Sequence, residues 1–171
     1  KGEAADLCER RTAVLAWTPG ALDADADRFR SIYLPVPILP PDQYEALVVQ
    51  MTEGCAYNQC AFCRFYRDRA FRAKPASELR EHLRAVRTFF GEGISLRRSV
   101  FLADANALVL SPSRLVEAFD LLREELPFGP GALRGVYSFI DAFSGAPKSP
   151  AHFRSLAERG LRRVYLGLET G

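Results

Sequence analysis

Three of the four cysteines of this chain, Cys55, Cys60 and Cys63, fall within nine residues. Three thiolates on one short segment bind a soft metal ion or an iron–sulfur cluster, but they do not complete a four-thiolate cage. A cubane cluster with three protein ligands leaves one iron open to bind another molecule. Gly54 and Asn58 suit a tight ligating turn, because both residue types tolerate unusual backbone angles. The pattern therefore indicates a catalytic cluster more than a structural one.

A zinc site is the alternative, with a fourth ligand from elsewhere in the chain. Cys8 lies 47 residues before Cys55 and has no second cysteine near it. His82 falls within a predicted helix among arginines, and His152 falls in the first turn of another predicted helix. We interpret Cys8 as an ordinary thiol, and the zinc site stays open as the less favoured alternative.

The chain has the size and composition of a globular domain, with 171 residues of which 48% are hydrophobic and 26% are charged. Its net charge of +2 is too small by itself to indicate nucleic acid or an anionic membrane as partner. No apolar run suggests a membrane span, and no pattern suggests a signal peptide. Because the cysteines are clustered and not spread as in a secreted disulfide framework, we predict a reducing, cytoplasmic location.

Residues 1–42 are predicted to form an irregular N-terminal extension with a proline-rich linker, and residues 43–171 to form the core domain. The segment 34–41 contains four prolines, too many for a helix or a central strand. Residues 21–28 alternate aspartate with small or apolar residues, which predicts a solvated surface stretch. The chain starts at Lys1 and stops just after a predicted strand, so we expect it to be a piece of a longer protein.

From residue 44 onward, short apolar strands alternate with helices. Strands are predicted at 47–49, 100–102, 136–140 and 164–168, and helices at 77–90, 111–126 and 149–160. Two Ser-Pro pairs mark helix starts, and Gly160 marks a helix stop. This alternation predicts about four parallel strands joined by right-handed crossovers, either as part of a (β/α) barrel or as an open α/β sheet.

Polar side chains follow the predicted strands where each one ends. The cysteine motif comes after the first strand, Asp104 and Asn106 after the second, Asp141 after the third and Glu169 after the fourth. In parallel α/β folds, ligands bind at the carboxyl ends of the strands. The sequence therefore predicts a site at this one edge.

The sequence Glu53-Gly-Cys-x4-Cys-x-Phe-Cys-x-Phe-Tyr66 after a first strand resembles the radical S-adenosylmethionine superfamily. The commonest cysteine spacing there is Cys-x3-Cys-x2-Cys, and the longer first gap resembles a variant found in a subset of members. The segment Gly167-Leu-Glu-Thr-Gly171 is similar to a glycine-leucine-glutamate segment at the end of that family's fourth strand. The resemblance covers about residues 44–171 and implies a partial (β/α) barrel.

The resemblance implies that Cys55, Cys60 and Cys63 each ligate one iron of a [4Fe–4S] cluster, and that S-adenosylmethionine chelates the fourth. An electron from a donor such as flavodoxin or ferredoxin then cleaves the cofactor to a 5′-deoxyadenosyl radical. That radical abstracts hydrogen from a substrate, which the sequence does not identify. The protein positions the cofactor and excludes solvent.

The resemblance also suggests cofactor-binding side chains. Phe62 matches an aromatic beside the adenine, or else packs as a core phenylalanine. Asp104 and Asn106 occupy the place of a glycine-rich segment that receives the cofactor's amino group, and Asp104 alternatively caps the strand end. Glu169 matches a glutamate that contacts ribose or the amino group. Ser138 either faces the cofactor or is an ordinary strand residue, and no catalytic side chain is assigned.

Five basic residues follow the cysteines, namely Arg64, Arg67, Arg69, Arg72 and Lys74. They favour an alternative function, a non-enzymatic zinc- or Fe–S-binding module that contacts nucleic acid through this arginine-rich loop. They also fit a solvated loop with one or two inward arginines, or neutralisation of the cluster and of the cofactor carboxylate.

We predict that the protein reconstituted with iron and sulfide holds about four irons per chain. Replacing Cys55, Cys60 or Cys63 with alanine removes the cluster, because each thiolate binds a separate iron. The matched control is Cys8→Ala, which retains it. Iron and sulfide analysis with a visible spectrum measures the outcome, and a colourless zinc protein, or loss of iron in the control, contradicts the ligand set.

Overall fold

The computed structural model describes residues 2–145 and 147–167. Contacts divide the chain into two compact units, Lys1–Leu34 and Pro35–Gly171. Within the described ranges, no helix is both long enough and apolar enough to cross a membrane. The cysteine motif and the predicted strands belong to the second unit.

The N-terminal unit consists of two helices, α1 (Gly2–Leu15) and α2 (Pro19–Ile32). The prediction of an irregular segment was wrong here, because alanine, leucine, glutamate and arginine favour helix even without a strong apolar stripe. Thr18 is the N-cap of α2, because its Oγ1 accepts a hydrogen bond from the Ala21 amide at 3.2 Å. Pro19 occupies the first turn of the helix. Residues 33–40 then have no regular structure, as their prolines predicted.

The second unit contains ten further helices and strands among its described residues. In chain order they are β1 (Leu47–Gln50), β2 (Thr52–Glu53), β3 (Arg72–Ala73), α3 (Ala76–Phe90), β4 (Val100–Ala103), α4 (Pro112–Glu125), β5 (Val136–Asp141), α5 (Ala142–Gly145), α6 (Pro150–Glu158) and β6 (Leu161–Gly167). Short 3-10 turns add Pro41–Gln43, Gly91–Leu96 and Ala107–Val109.

Strands β1, β4, β5 and β6 form one sheet in that order, and every neighbouring pair is parallel. The predicted four-stranded parallel α/β architecture is therefore confirmed. Strand β6 begins at Leu161 and not at Val164 as predicted. Its first residues include Arg162 and Arg163, and both are exposed because β6 lies at the edge of the described sheet, where outward side chains reach water.

The core includes apolar side chains that recur at helical spacing along α3 and α4. The buried side chains are Leu79, Leu83 and Val86 in α3, and Leu115, Phe119 and Leu122 in α4. All four residues of β4 are buried as well, as expected for a central parallel strand. Between the two helices, Glu125 pairs with Arg80 at 2.7 Å and with Arg84 at 3.1 Å, so this largely buried carboxylate is compensated.

The two-stranded antiparallel ladder of β2 and β3 was not predicted. Thr52 is paired with Ala73, and Glu53 with Arg72. Each strand has two residues, which is too short for a period of two to be visible in the sequence. The ladder matters because it brings together the two ends of the segment that carries the cysteines.

We expect Phe119→Ala to lower the free energy of unfolding by about 3–5 kcal/mol, because it empties a fully buried site. The matched control is Phe143→Ala, whose side chain is 85% exposed. That change is expected to stay within about 0.5 kcal/mol. Urea unfolding followed by circular dichroism measures both variants, and equal effects would contradict the packing of α4 described here.

Candidate functional site

The cysteine loop (residues 54–71) connects β2 to β3, and β2 follows β1 after one residue. It begins at Gly54, whose φ of +72° lies in the left-handed region. A Cβ at this position would lie 2.9 Å from the carbonyl oxygen of Ala70. Only glycine therefore allows the two ends of the loop to approach this closely.

Asp104 joins the start of the cysteine loop to the end of the neighbouring strand β4. Its Oδ2 accepts a hydrogen bond from the Gly54 amide at 3.1 Å, and its Oδ1 accepts one from Gln50 Nε2 at 3.2 Å. Its own amide donates to Thr52 Oγ1 at 3.0 Å. Because Asp104 is fully buried, these bonds form away from competing water.

Arg69 is the cation paired with Asp104 among the described residues, and Lys74 also acts on its charge. Burial raises the pKa of the Asp104 carboxyl, while its hydrogen bonds from Gly54 and Gln50 and the charge of Arg69 act in the opposite direction. Arg69 Nη1 lies 3.5 Å from Asp104 Oδ2, and its side chain is only 13% exposed. The guanidinium also lies over the rings of Phe65 and Tyr66, at 5.5 and 5.6 Å from their centroids. The expectation of an inward arginine is confirmed at Arg69.

The three cysteines of the loop are half-buried and are not in disulfides. Asn58 shapes the turn between the first two, with a φ of +47°. Its amide donates to Cys55 Sγ at 3.3 Å, and its Nδ2 donates to the Tyr66 carbonyl at 2.8 Å. The Cys63 amide donates to the Cys60 carbonyl at 3.3 Å. The unusual backbone angles predicted for Gly54 and Asn58 are thus confirmed.

The loop's donor set fits an iron–sulfur cluster chemically, because it offers three thiols and an amide hydrogen bond to one sulfur. Among the described residues, no group of three or more histidine, cysteine, aspartate or glutamate side chains is arranged to hold a metal ion. A single zinc ion with Zn–S bonds of about 2.3 Å holds its thiolates about 3.8 Å apart in a tetrahedron. An iron–sulfur cluster holds three thiolates on three different irons, so these thiolates lie farther apart.

The two histidines considered as zinc ligands have other surroundings. His82 Nε2 accepts the Gln50 amide hydrogen at 3.1 Å, which ties α3 to the end of β1. His152 is buried in the first turn of α6, where burial lowers the pKa of its imidazole and the charge of Lys148 lowers it further. Its Nε2 has no partner among the residues that the structure describes.

Phe62 stands out of the loop next to Cys63, with 71% of its surface exposed. The alternative of a core phenylalanine is therefore wrong. An exposed ring beside the cysteines is free to stack on a planar ligand.

Asn106 and Asp141 meet at the carboxyl edge of the sheet. Asn106 Nδ2 donates to Asp141 Oδ2, as the predicted clustering of strand ends requires. Asn106 Oδ1 is buried and has no hydrogen-bond partner among the described residues. A buried carbonyl oxygen without a partner is costly, so it marks a position where a ligand donor would be stabilising.

Ser138 lies inside β5 and is fully buried. Its hydroxyl donates to the Leu102 carbonyl of β4 at 3.1 Å and approaches the Phe139 carbonyl at 3.2 Å. Its contacts therefore join two strands, and contact of Ser138 with a cofactor stays a prediction. Glu169, the remaining predicted cofactor residue, lies outside the described residues.

Two further cations of the basic cluster are paired with acidic side chains. Glu53 accepts from Arg72 at 2.6 Å and from Lys74 at 2.7 Å, and Arg72 also binds Glu78 at 2.6 Å. These pairs fasten β2 and β3 to α3. With Arg69, three of the five cations therefore have a carboxylate partner.

Sequence reasoning missed two residues that shape the loop. Gln50 reads as the last residue of an apolar strand, yet its side chain is buried against Asp104. Tyr66 was part of the quoted motif without a role, and it is 5% exposed. A polar residue directly after the apolar run 46–49 was the available signal for Gln50, and no local pattern marked Tyr66.

An open groove of about 470 Å³ lies between α3 and α4. Its lining is charged, with Arg80, Glu117, Asp120 and Glu124, and includes no residue of the cysteine loop. The chemistry of the donor set, and not the shape of the surface, therefore locates the candidate site.

Searches against family models, curated proteins and solved structures found no match to this chain.

We expect Asp104→Asn to loosen the cysteine loop, because asparagine places an amide NH2 group where a carboxylate oxygen accepted a hydrogen bond, and it leaves Arg69 with only the exposed Asp68 as counter-charge. A hydrogen bond to a charged group is worth about 1.5–3 kcal/mol, so opening should become about tenfold easier or more. Tryptic cleavage after Arg64 and Arg67, which are exposed, measures this. The matched control is Asp68→Asn, which removes the other carboxylate of Arg69, 3.4 Å from its Nε and 73% exposed, but no hydrogen bond to Gly54 or Gln50. Equal cleavage in both variants would contradict the anchoring role of Asp104.

Proposed function

We propose that this chain is part of a radical S-adenosylmethionine enzyme that acts on a substrate still to be identified. The observation that carries the proposal is the placement of a three-cysteine loop at the carboxyl end of the first strand of a parallel sheet. A buried carboxylate on the next strand fixes the loop there. Parallel α/β folds bind their ligands at this edge.

The strand order supports a partial barrel of the type found in that superfamily. The sheet order β1-β4-β5-β6 follows the chain order without reversal. A doubly wound open sheet reverses its order at a switch point, whereas successive strands of a (β/α) barrel are always neighbours. With right-handed crossovers, an order without reversal places the connecting helices on one face of the sheet.

Cys55, Cys60 and Cys63 would hold the [4Fe–4S] cluster, one thiolate to each of three irons. Together the cluster and S-adenosylmethionine, when bound, supply a one-electron reductive cleavage that generates an organic radical. The role of the chain is to place and shield this chemistry. The Asn58 amide orients Cys55 through its hydrogen bond, and the Asp104 anchor holds the loop against the sheet.

Two side chains suit the cofactor itself. Asn106 Oδ1, buried without a partner in the described structure, is an acceptor for the ammonium group of S-adenosylmethionine. The bond from Asn106 Nδ2 to Asp141 holds the amide in that orientation. Phe62, exposed beside Cys63, provides a face on which adenine stacks.

The alternative, a zinc- or cluster-binding module that contacts nucleic acid, has weaker support. Phosphate recognition needs cations that are available to the ligand. Three of the five basic residues of the loop region already have carboxylate partners, and the side chains of Lys74 and Arg69 are 8% and 13% exposed. These charges act mainly within the protein.

We expect S-adenosylmethionine to alter the electron paramagnetic resonance spectrum of the reduced cluster, and Phe62→Ala to raise its dissociation constant about fivefold or more. The reason is that stacking of a base on an aromatic ring is worth about 1–3 kcal/mol. The test uses the protein encoded by the complete reading frame. The control is Leu96→Ala, an apolar side chain that is 77% exposed in the turn before β4, away from the carboxyl edge, and it leaves affinity unchanged.

Titration of the spectrum with the cofactor gives the dissociation constants. A reduced cluster whose spectrum does not respond to saturating S-adenosylmethionine contradicts the proposed function. A response that is equal in Phe62→Ala and Leu96→Ala retains the function and removes Phe62 from the adenine site.

A further inference from the structure

Tyr66 carries a buried hydroxyl that makes no hydrogen bond within the described part of the chain. The residue is 5% exposed, and its Oη has no hydrogen-bond partner among the residues that the structure describes. Buried polar groups in proteins nearly always have a partner, and an unpaired one costs free energy. Such a group near a candidate site indicates a partner that arrives with a ligand.

The position of Tyr66 is fixed by contacts that do not involve its hydroxyl. Its carbonyl accepts hydrogen bonds from Asn58 Nδ2 at 2.8 Å and from the Arg69 amide at 3.3 Å. Its ring packs edge-on against Phe65, with centroids 4.9 Å apart, and lies under the Arg69 guanidinium. The phenol is therefore held in place inside the cysteine loop, with its donor group still available.

Charges of both signs act on the phenol. Burial raises the pKa of Tyr66 above its ordinary value, and the nearby Asp104, Cys55 and Cys63 raise it further, whereas the charge of Arg69 lowers it. The hydroxyl therefore stays protonated and acts as a donor. The described structure has no hydrogen bond from this hydroxyl to Asp104, and the sulfurs of the cysteine loop gain negative charge when they bind iron.

We propose that the Tyr66 hydroxyl donates a hydrogen bond to a sulfur of the cluster bound by Cys55, Cys60 and Cys63, and thereby raises its reduction potential. This inference rests on the proposed cluster and adds a positioning and tuning residue that the cysteine motif does not contain. Hydrogen bonds to sulfur stabilise the more negative, reduced cluster, which makes reduction easier.

The test compares Tyr66→Phe with Tyr57→Phe, a change of the same kind at a tyrosine of the same loop that is 62% exposed. Both variants are reconstituted with iron and sulfide, and the cluster potential is measured by redox titration followed by electron paramagnetic resonance. In Tyr66→Phe we expect at least a tenfold lower ratio of reduced to oxidised cluster at a fixed applied potential. That change equals a shift of about 59 mV to more negative potential for a one-electron couple. Tyr57→Phe leaves the potential unchanged.

The apo protein provides a second measurement. Since the hydroxyl has no protein partner in the described residues, Tyr66→Phe should not lower the free energy of unfolding before the cluster is added. A clear loss of stability in the apo variant would show that the hydroxyl has a structural role instead. Urea unfolding under reducing conditions measures this.

The outcomes separate the two proposals. If the wild-type protein forms no iron–sulfur cluster, the proposed function fails and this inference fails with it. If the cluster forms in all proteins and the potential of Tyr66→Phe equals that of Tyr57→Phe, only the role of Tyr66 is overturned. If Tyr66→Phe does not hold a cluster, the test uses instead a variant with 3-fluorotyrosine at position 66. Its more acidic phenol is a stronger donor, so the potential should rise, and an unchanged value overturns the inference.

Discussion

The hydrogen bonds of one buried carboxylate set the geometry on which the rest of the site depends. The Asp104 carboxylate accepts hydrogen bonds from the Gly54 amide and from the Gln50 side chain, and the Asp104 amide donates one to the Thr52 hydroxyl. The end of β1 and the start of the cysteine loop are thereby joined to the end of β4, about fifty residues further along the chain, at one fully buried carboxylate. The raised pKa of this carboxyl shows that its burial is unfavourable for the charge, and Arg69 offsets part of that cost. The protein tolerates a costly arrangement at the edge where α/β folds bind ligands.

Two atoms of this region have no hydrogen-bond partner in the described structure, Asn106 Oδ1 and Tyr66 Oη. Both are buried, both are held by other contacts, and one is an acceptor whereas the other is a donor. Proteins often break rules of stability at functional sites, although Arg97 Nε and His152 Nε2 are also buried without a partner among the described residues and lie outside the cysteine loop. The acceptor lies at the strand edge and the donor lies within the cysteine loop. This separation matches a composite ligand with a cationic organic part and an electron-rich inorganic part, as the proposed cofactor and cluster would provide.

The basic residues around the loop show that the local sequence overstates the positive charge available to a ligand. In the sequence they form a dense positive run, opposed nearby by Asp68 alone. In the fold, Glu53 and Glu78 come from other elements to pair with Arg72, and Glu53 also pairs with Lys74. Long-range pairing of this kind turns an apparent binding surface into a clamp that holds β2, β3 and α3 together.

The sequence by itself determined the alternating elements, the apolar faces of α3 and α4, and the unusual backbone angles of Gly54 and Asn58, because all of these depend on local spacing and on residue type. The N-terminal helices were missed, because residues 1–32 have good helix propensity without a clear apolar period. Only the tertiary structure decided that β2 and β3 pair, that Asp104 faces inward to anchor the loop, and that Tyr66 is buried with its hydroxyl unpaired. Such features arise between residues far apart in the chain, and the burial that gives them their energetic weight is a property of the whole packed unit.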